Sequence, residues 1–370
     1  MHRFASILVL AVVVAVAIAS AQQPSTTGPY NVLKTAKVGG EGNWDYIYAD
    51  VAGRRLYIPR RAPAAPAGAE GPAPGSTIHT RLSVFNLDTL EPVGEIDGVG
   101  GQGAAVDPKS GHGFTSSRPV AMFDTKTQKL IKTIDTADAL GDGIVFDGFN
   151  EHVYVFSHPT KDATVIDAKN GMVLGRIDLG GVPEEGVADG KGLLYVVMQD
   201  PQGSVTVVDV KTMKAIAHYP FGDLGGGCNG LALDAKNKVL FAACARSGNP
   251  ADATKPQMVI LSATDGKILK TLPLAGASDG ASFNPATMEA YSTQGNGTLT
   301  IVKETGPGAF EVEQNLQTMN FARTIAFDSK TGHIFTMADE RGPAPPAPPG
   351  GRAGRGAAIP GTFTILMIGK

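Results

Sequence analysis

The stretch GGVPEEGVADGKGLLYVVMQDPQGSVTVVDVKTMKAIAHY, residues 180–219, decides the fold. It holds three apolar runs, separated by the glycine, proline, aspartate and lysine clusters that turn a chain back on itself. It reads as one small antiparallel sheet. Its first hairpin is an apolar strand ending in aspartate, then a turn, then a strand of pattern L-Y-V. That unit recurs as IYADVAGRRLYI (47–58), AAVDPKSGHGFT (104–115), IVFDGFNEHVYV (144–155), GVADGKGLLYVV (186–197), LALDAKNKVLFA (231–242), ASFNPATMEAYS (281–292) and IAFDSKTGHIFT (325–336). The turn residues Asp50, Asp107, Asp147, Asp189, Asp234, Asn284 and Asp328 are spaced about 40 to 57 residues apart, near the period of propeller blades.

A third strand follows each pair, as in LSVFNLDTLEPV or SVTVVDVKTMKAI, and a fourth follows its turn. The seventh unit lacks a fourth strand, because TFTILMIGK ends the sequence, while an orphan strand YNVLKTAKV (30–38) precedes the first unit. The surplus matches the deficit. A ring of seven sheets closes if the orphan strand completes the last blade and so removes an exposed edge. The expected architecture is all-β, a seven-bladed propeller closed in that way. An open solenoid would need capping units at both ends, and a helical fold would need a 3.6-residue apolar period that no long segment shows.

Composition agrees: 47 glycines, 25 prolines, 6% aromatic and 18% charged residues suit many tight turns. At the N-terminus, His2 and Arg3 precede an apolar run over 7–18 and the small triplet Ala19-Ser20-Ala21. This is the pattern of a secretory signal peptide over 1–21, the run being shorter than the ~20 residues of a membrane span. Residues 22–370 are then expected to form one propeller, periplasmic or secreted and monomeric. The net charge of -3 lacks the basic footprint of nucleic-acid binders.

Cys228 and Cys244 fall opposite one another in the fifth hairpin, which in an oxidising compartment favours a disulfide, the alternative being two small buried hydrophobes. Two Pro/Gly/Ala-rich stretches, 61–79 and 341–361, interrupt the first and last units, neighbours in a closed ring. They read as surface insertions or as a partner-docking lid. Arg60, Arg61, Arg81, Arg341, Arg352 and Arg355 lie in or beside them and mark where an anionic partner would dock.

The strands LYIPRR (56–61), VYVFSH (153–158) and LYVVMQ (194–199) resemble the YVTN-type repeat of the YncE-like β-propeller family, over nearly the whole mature chain. The resemblance implies an exported seven-bladed propeller acting in binding or as a scaffold, with single-stranded DNA binding attributed to one branch. The Y-V-T-N tetrad is nowhere intact: Pro59, Phe156, Val197 and Thr336 take its threonine position and Gly113 replaces its tyrosine.

In a propeller the innermost strands line a channel, and the residue entering each strand faces the upper mouth. Counting back five positions from the turn residues finds Asp45, Gln102, Asp142, Asn229, Asp279 and Arg323. The fourth hairpin is one residue shorter, leaving Glu184 or Glu185; Glu185 is preferred because it precedes Gly186 as Asp142 precedes Gly143. Trp44 adjoins Asp45, as a wall of the mouth or a plug between blades, and His158 lies on the same rim. Converging carboxylates repel unless a cation joins them, so Asp45, Asp142, Glu185 and Asp279 suit calcium, an oxygen-seeking ion. The bland alternative is a hydrated polar channel. No G-x-S-x-G, H-E-x-x-H or C-x-x-C-H motif is present, and no catalytic residue is assigned.

Three functions follow in order. The first is a non-enzymatic binder of a small polar ligand or protein partner on the upper face. The second is a metal-dependent lactonase or esterase of the gluconolactonase-like propeller type, with Asp142 or Asp279 as general base. The third is single-stranded nucleic-acid binding, which needs exposed aromatics beside a basic groove.

Overall fold

Each of the seven hairpins turns on a side-chain oxygen. Asp50 accepts from the Gly53 amide at 2.8 Å, Asp107 from Lys109 at 2.9 Å, Asp147 from Phe149 at 3.0 Å and Asp189 from Lys191 at 2.7 Å. Asp234, Asn284 and Asp328 accept from Lys236, Ala286 and Lys330 at 2.9, 3.0 and 3.0 Å. This is the Asx turn, the physical reason for an Asp or Asn at that position. A left-handed residue then relaunches the second strand in every hairpin, for example Arg54 (φ 53°) and Gly332 (φ 79°).

The computed structural model describes residues 27–62, 78–137, 139–249, 251, 254–344 and 356–370. The signal-peptide expectation for 1–21, the middles of the two insertions, Arg352 and Arg355 lie outside the described residues. The strands form seven four-stranded antiparallel sheets in a ring, a seven-bladed β-propeller. The innermost strands are Tyr48–Asp50, Ala104–Asp107, Gly141–Asp147, Pro183–Ala188, Gly226–Asp234, Ser278–Asn284 and Arg323–Asp328, for blades one to seven. Among the described residues no helix is long and apolar enough to cross a membrane.

The core lies between blades rather than within them. Because successive side chains of a strand point to opposite faces, Leu56 and Ile58 pack on Phe335 and Met367 of blade seven, while Tyr57 packs on Phe123 of blade two. The same division holds at blade three, where Val153 and Val155 face blade two and Tyr154 and Phe156 face blade four. One apolar cluster fills each of the seven junctions. Cys228 and Cys244, paired across the fifth hairpin, are joined in a disulfide within the cluster between blades four and five.

The ring closes where the N-terminal strand Asn31–Lys37 pairs antiparallel with Thr364–Gly369, Asn31 opposite Gly369 and Lys37 opposite Thr364. That strand is mostly exposed, so its anchor is the residue before it. Tyr30 is 2% exposed. The Gln314 side chain accepts from the Tyr30 backbone amide and donates to its carbonyl, both at 2.9 Å. The Tyr30 hydroxyl meets Glu289 and, at 2.7 Å, Tyr291. Lys303 and Lys370 donate to the other Glu289 oxygen at 2.8 and 2.7 Å. The knot ties blade six to both chain-terminal strands of blade seven.

Burial alone would push the Glu289 carboxyl up, but the hydrogen bonds from Lys303, Lys370, Thr287 and Tyr30 outweigh it and hold the carboxyl far below its ordinary value. A carboxylate with a depressed folded-state pKa contributes stability that is complete above its unfolded pKa and fades as pH falls through the folded one. Glu289→Gln is therefore expected to lower unfolding free energy by about 3 kcal/mol at pH 7. It should also flatten the loss of stability seen on acidification below about pH 4.5. Urea denaturation from pH 7 to pH 3 measures both, and equal acid sensitivity in the two proteins would refute this account of the knot. Removing the disulfide by the double change Cys228→Ala and Cys244→Ala, a crosslink spanning 16 residues, is expected to reduce stability by about 3 kcal/mol in the same assay.

Candidate functional site: the upper mouth of the channel

The inner strands of blades three to seven begin with an irregularity rather than with regular pairing. In blade three the register passes from Gly141↔Ser157 to Ile144↔Val155, and in blade four from Pro183↔Met198 to Gly186↔Val196. The same one-residue excess occurs at Asn229, at Asp279 and just after Arg323. A bulge re-aims the side chain it carries. Here it sends Asp142, Glu184, Asn229 and Asp279 over the upper mouth.

The register makes Glu184 the counterpart of Asp142, both one residue beyond the first pair of the hairpin. The shorter fourth turn leaves the inner strand in step, so the preference for Glu185 on account of Gly186 is corrected. Glu185 instead occupies the place of Gly143. A Cβ at Gly143 would lie 2.3 Å from the Glu184 carbonyl oxygen, and its absence lets blades three and four approach until Asp142 and Glu184 share one partner.

That partner is His158, whose Nε2 lies 2.9 Å from Asp142 Oδ2 and 2.7 Å from Glu184 Oε2. Hydrogen bonds to Asp142 and Glu184 raise the imidazole to about 10, so it carries a proton at neutral pH. Asn229 Nδ2 donates to the second Glu184 oxygen at 3.3 Å. Burial raises the Glu184 carboxyl to about 7 against the downward pull of His158. Tyr46 also faces Glu184 and Asp142. Its hydroxyl is closed off from solvent and has no hydrogen-bond partner of normal geometry.

Across the mouth, Arg323 donates to Asp279 at 2.6 Å and lies 3.4 Å from Asp45. Its guanidinium sits 4.6 Å above the Trp44 ring. Trp44 is 4% exposed and packs against Phe363, so it is a plug between blades one and seven whose face supports Arg323. Burial, Asp279 and Asp142 lift Asp45 to about 6 although Arg323 draws it down. Arg61 adds a positive field near Asp45 and Asp142.

Glu185 points inward at the junction with the channel. Its Oε2 accepts from the amides of Leu231 and Ala281, at 2.8 and 3.2 Å, which follow the bulges of blades five and six. Burial dominates and lifts this carboxyl to about 8. Below it runs a cavity of about 400 Å³ whose walls are divided almost evenly between polar and apolar surface, Ile47, Ile144, Val187, Leu231 and Phe283 being among the apolar residues. Gln102 stands at the corresponding position of blade two with its Oε1 buried and unpartnered.

The four residues expected to hold calcium are therefore divided among three roles. Asp45 and Asp279 pair with Arg323, Glu185 with backbone amides, and Asp142 with His158. Among the described residues, side chains with metal-ligand spacing are Asp142, His158 and Glu184, and separately the exposed set His79, Glu95 and Asp97. The arginines beside the insertions are largely engaged as well. Arg60 stacks 3.7 Å over Phe363, Arg81 bonds Glu95 and two carbonyls, and Arg341 pairs with Asp339.

No family model matches the chain, and no curated protein matches it. Among solved structures it is similar to a chain of Kuenenia stuttgartiensis hydrazine synthase, at 13% identity over 79% of this chain and 91% of that one, with a TM-score of 0.62. It is also similar to a chain of a mitotic checkpoint complex, at 10% identity over 90% and 95% of the two, with a TM-score of 0.65. At these identities the likeness is one of fold.

A carboxyl raised in the folded state holds its proton more tightly there than in the unfolded chain, so stability declines as pH rises from the unfolded towards the folded pKa. Asp45, with 27% of its side chain exposed, is expected to contribute a decline of about 1–2 kcal/mol between pH 4 and pH 7. Asp45→Asn removes that slope. Comparing the unfolding free energies of the two proteins at both pH values tests it, and an unchanged slope rejects it.

Proposed function

We propose that the chain is an exported binding protein whose upper mouth takes a small, positively charged polar ligand. The observation that supports this reading is the convergence of Asp45, Asp142, Glu184, Glu185 and Asp279 on one opening, against Arg323, His158 and the more distant Arg61. Carboxylates crowded into a concave, low-dielectric mouth are stabilised by a cation that joins them.

Export rests on the pattern of residues 1–21, and membership of the YncE-like group rests on the L-Y-V strands. A protein produced with its leader in a bacterial host is expected to begin at Gln22, which N-terminal sequencing reads. For the ligand, thermal shift with primary, diamino and quaternary ammonium compounds, matched against carboxylates of similar size, is the direct assay. Ammonium compounds should raise the melting temperature, and the double change Asp45→Asn and Asp279→Asn should abolish the shift. Stabilisation by the carboxylates, or an ammonium effect untouched by the double change, would sink the reading.

A further inference from the structure

The His158 half of the mouth has the composition of a metal site, and we propose that Asp142, His158 and Glu184 bind a first-row divalent transition cation such as Zn2+ or Mn2+. This deepens the reading of the mouth as a cation site and rests on it. The three ligand atoms come from two blades and lie within 4.8 Å of one another. Metal–ligand bonds of about 2.1 Å place neighbouring ligand atoms roughly 3.0 to 3.4 Å apart. The present separations from Nε2, 2.9 and 2.7 Å, need to widen only slightly.

An ion in that position would use the imidazole nitrogen as a lone-pair donor, so the three side chains would face it as ligands rather than one another. An imidazole nitrogen with two carboxylate oxygens favours Zn2+ or Mn2+ over Ca2+, whose ligands are oxygens. The surroundings are those of a built site. Asn229 fixes the second oxygen of Glu184, as outer-shell partners of metal-bound carboxylates do. The Tyr46 hydroxyl, shut away from solvent and making no hydrogen bond of normal geometry, is turned towards the same Glu184 carboxylate. The rim side of His158 is open, with 35% of its side chain exposed, so an ion has an entry path and room for a ligand of its own.

Titration of the metal-stripped full protein with Co2+ reads the donor set directly, because visible d–d bands report the ligands and geometry of the ion. One equivalent is expected to bind, with competition by Zn2+ and at least tenfold weaker competition by Ca2+. His158→Gln and Glu184→Gln should each weaken Co2+ binding by tenfold or more, while His79→Ala in the exposed cluster leaves it unchanged. Circular dichroism and a cooperative melt confirm that the variants fold, and Asp142→Asn gives an independent check. Absence of a one-to-one complex, equal preference for Ca2+, or binding indifferent to His158 and Glu184 would overturn the inference. Should ammonium compounds still stabilise the protein through Asp45 and Asp279 while Co2+ fails to bind, the metal site falls and the cationic-ligand reading stands.

Discussion

The structure depends on a packing constraint: a blade has two apolar faces, and neither is buried until a neighbour covers it. Each strand supplies alternate side chains to opposite junctions, as Leu56 and Tyr57 do, so no blade owns a core. An unclosed row of seven would leave one face of the first blade and one of the last in water, at ~25 cal/mol for each Å² of apolar surface. Closure is thus part of the fold's stability rather than an addition to it. The chain achieves it with a poorly buried strand, Asn31–Lys37, held by one deeply buried residue, Tyr30. The concentration of hydrogen bonds at Glu289 and Gln314 follows, since the hold must be local.

The same constraint creates the mouth. Bringing seven inner strands around one axis forces their first residues towards a common point, and the bulges decide what faces it. Carboxylates placed there are desolvated together, which raises Asp45 and Glu184 against the pull of Arg323 and His158. A core chosen for stability alone would not carry such a set. The mouth departs from the packing logic of the rest, as functional or strained sites do.

The blade count and the closure were legible because they rest on period-2 alternation and on the Asx turn, both written locally. Asp142, Asn229, Asp279 and Arg323 were legible for the same reason, being at a fixed count from that turn. Which partner each one takes was not. The choice between Glu184 and Glu185 depends on hairpin register, and the shorter fourth turn concealed it. The meeting of His158 with Glu184 depends on the approach of two blades, permitted by Gly143. Tyr46 was passed over although it adjoins Asp45, because a single tyrosine just before a strand gives no sign of facing blade four across the axis.

The division of the mouth into two halves bears on how a ligand would exchange there. In one half, Asp45 and Asp279 are neutralised by a guanidinium that is covalently part of the fold and braced on Trp44, so the compensating charge cannot leave. In the other, Asp142 and Glu184 are neutralised by a proton on His158, and a proton can leave. A cation entering the first half adds its charge beside Arg323, and Asp45, 3.4 Å from the guanidinium and the more exposed of the two carboxylates, is the one open to it. Entering the second half, it displaces only a proton and keeps all three side chains as partners. The asymmetry gives the Arg323 side a fixed countercharge, beside which an organic cation is added, and the His158 side a countercharge that exchanges.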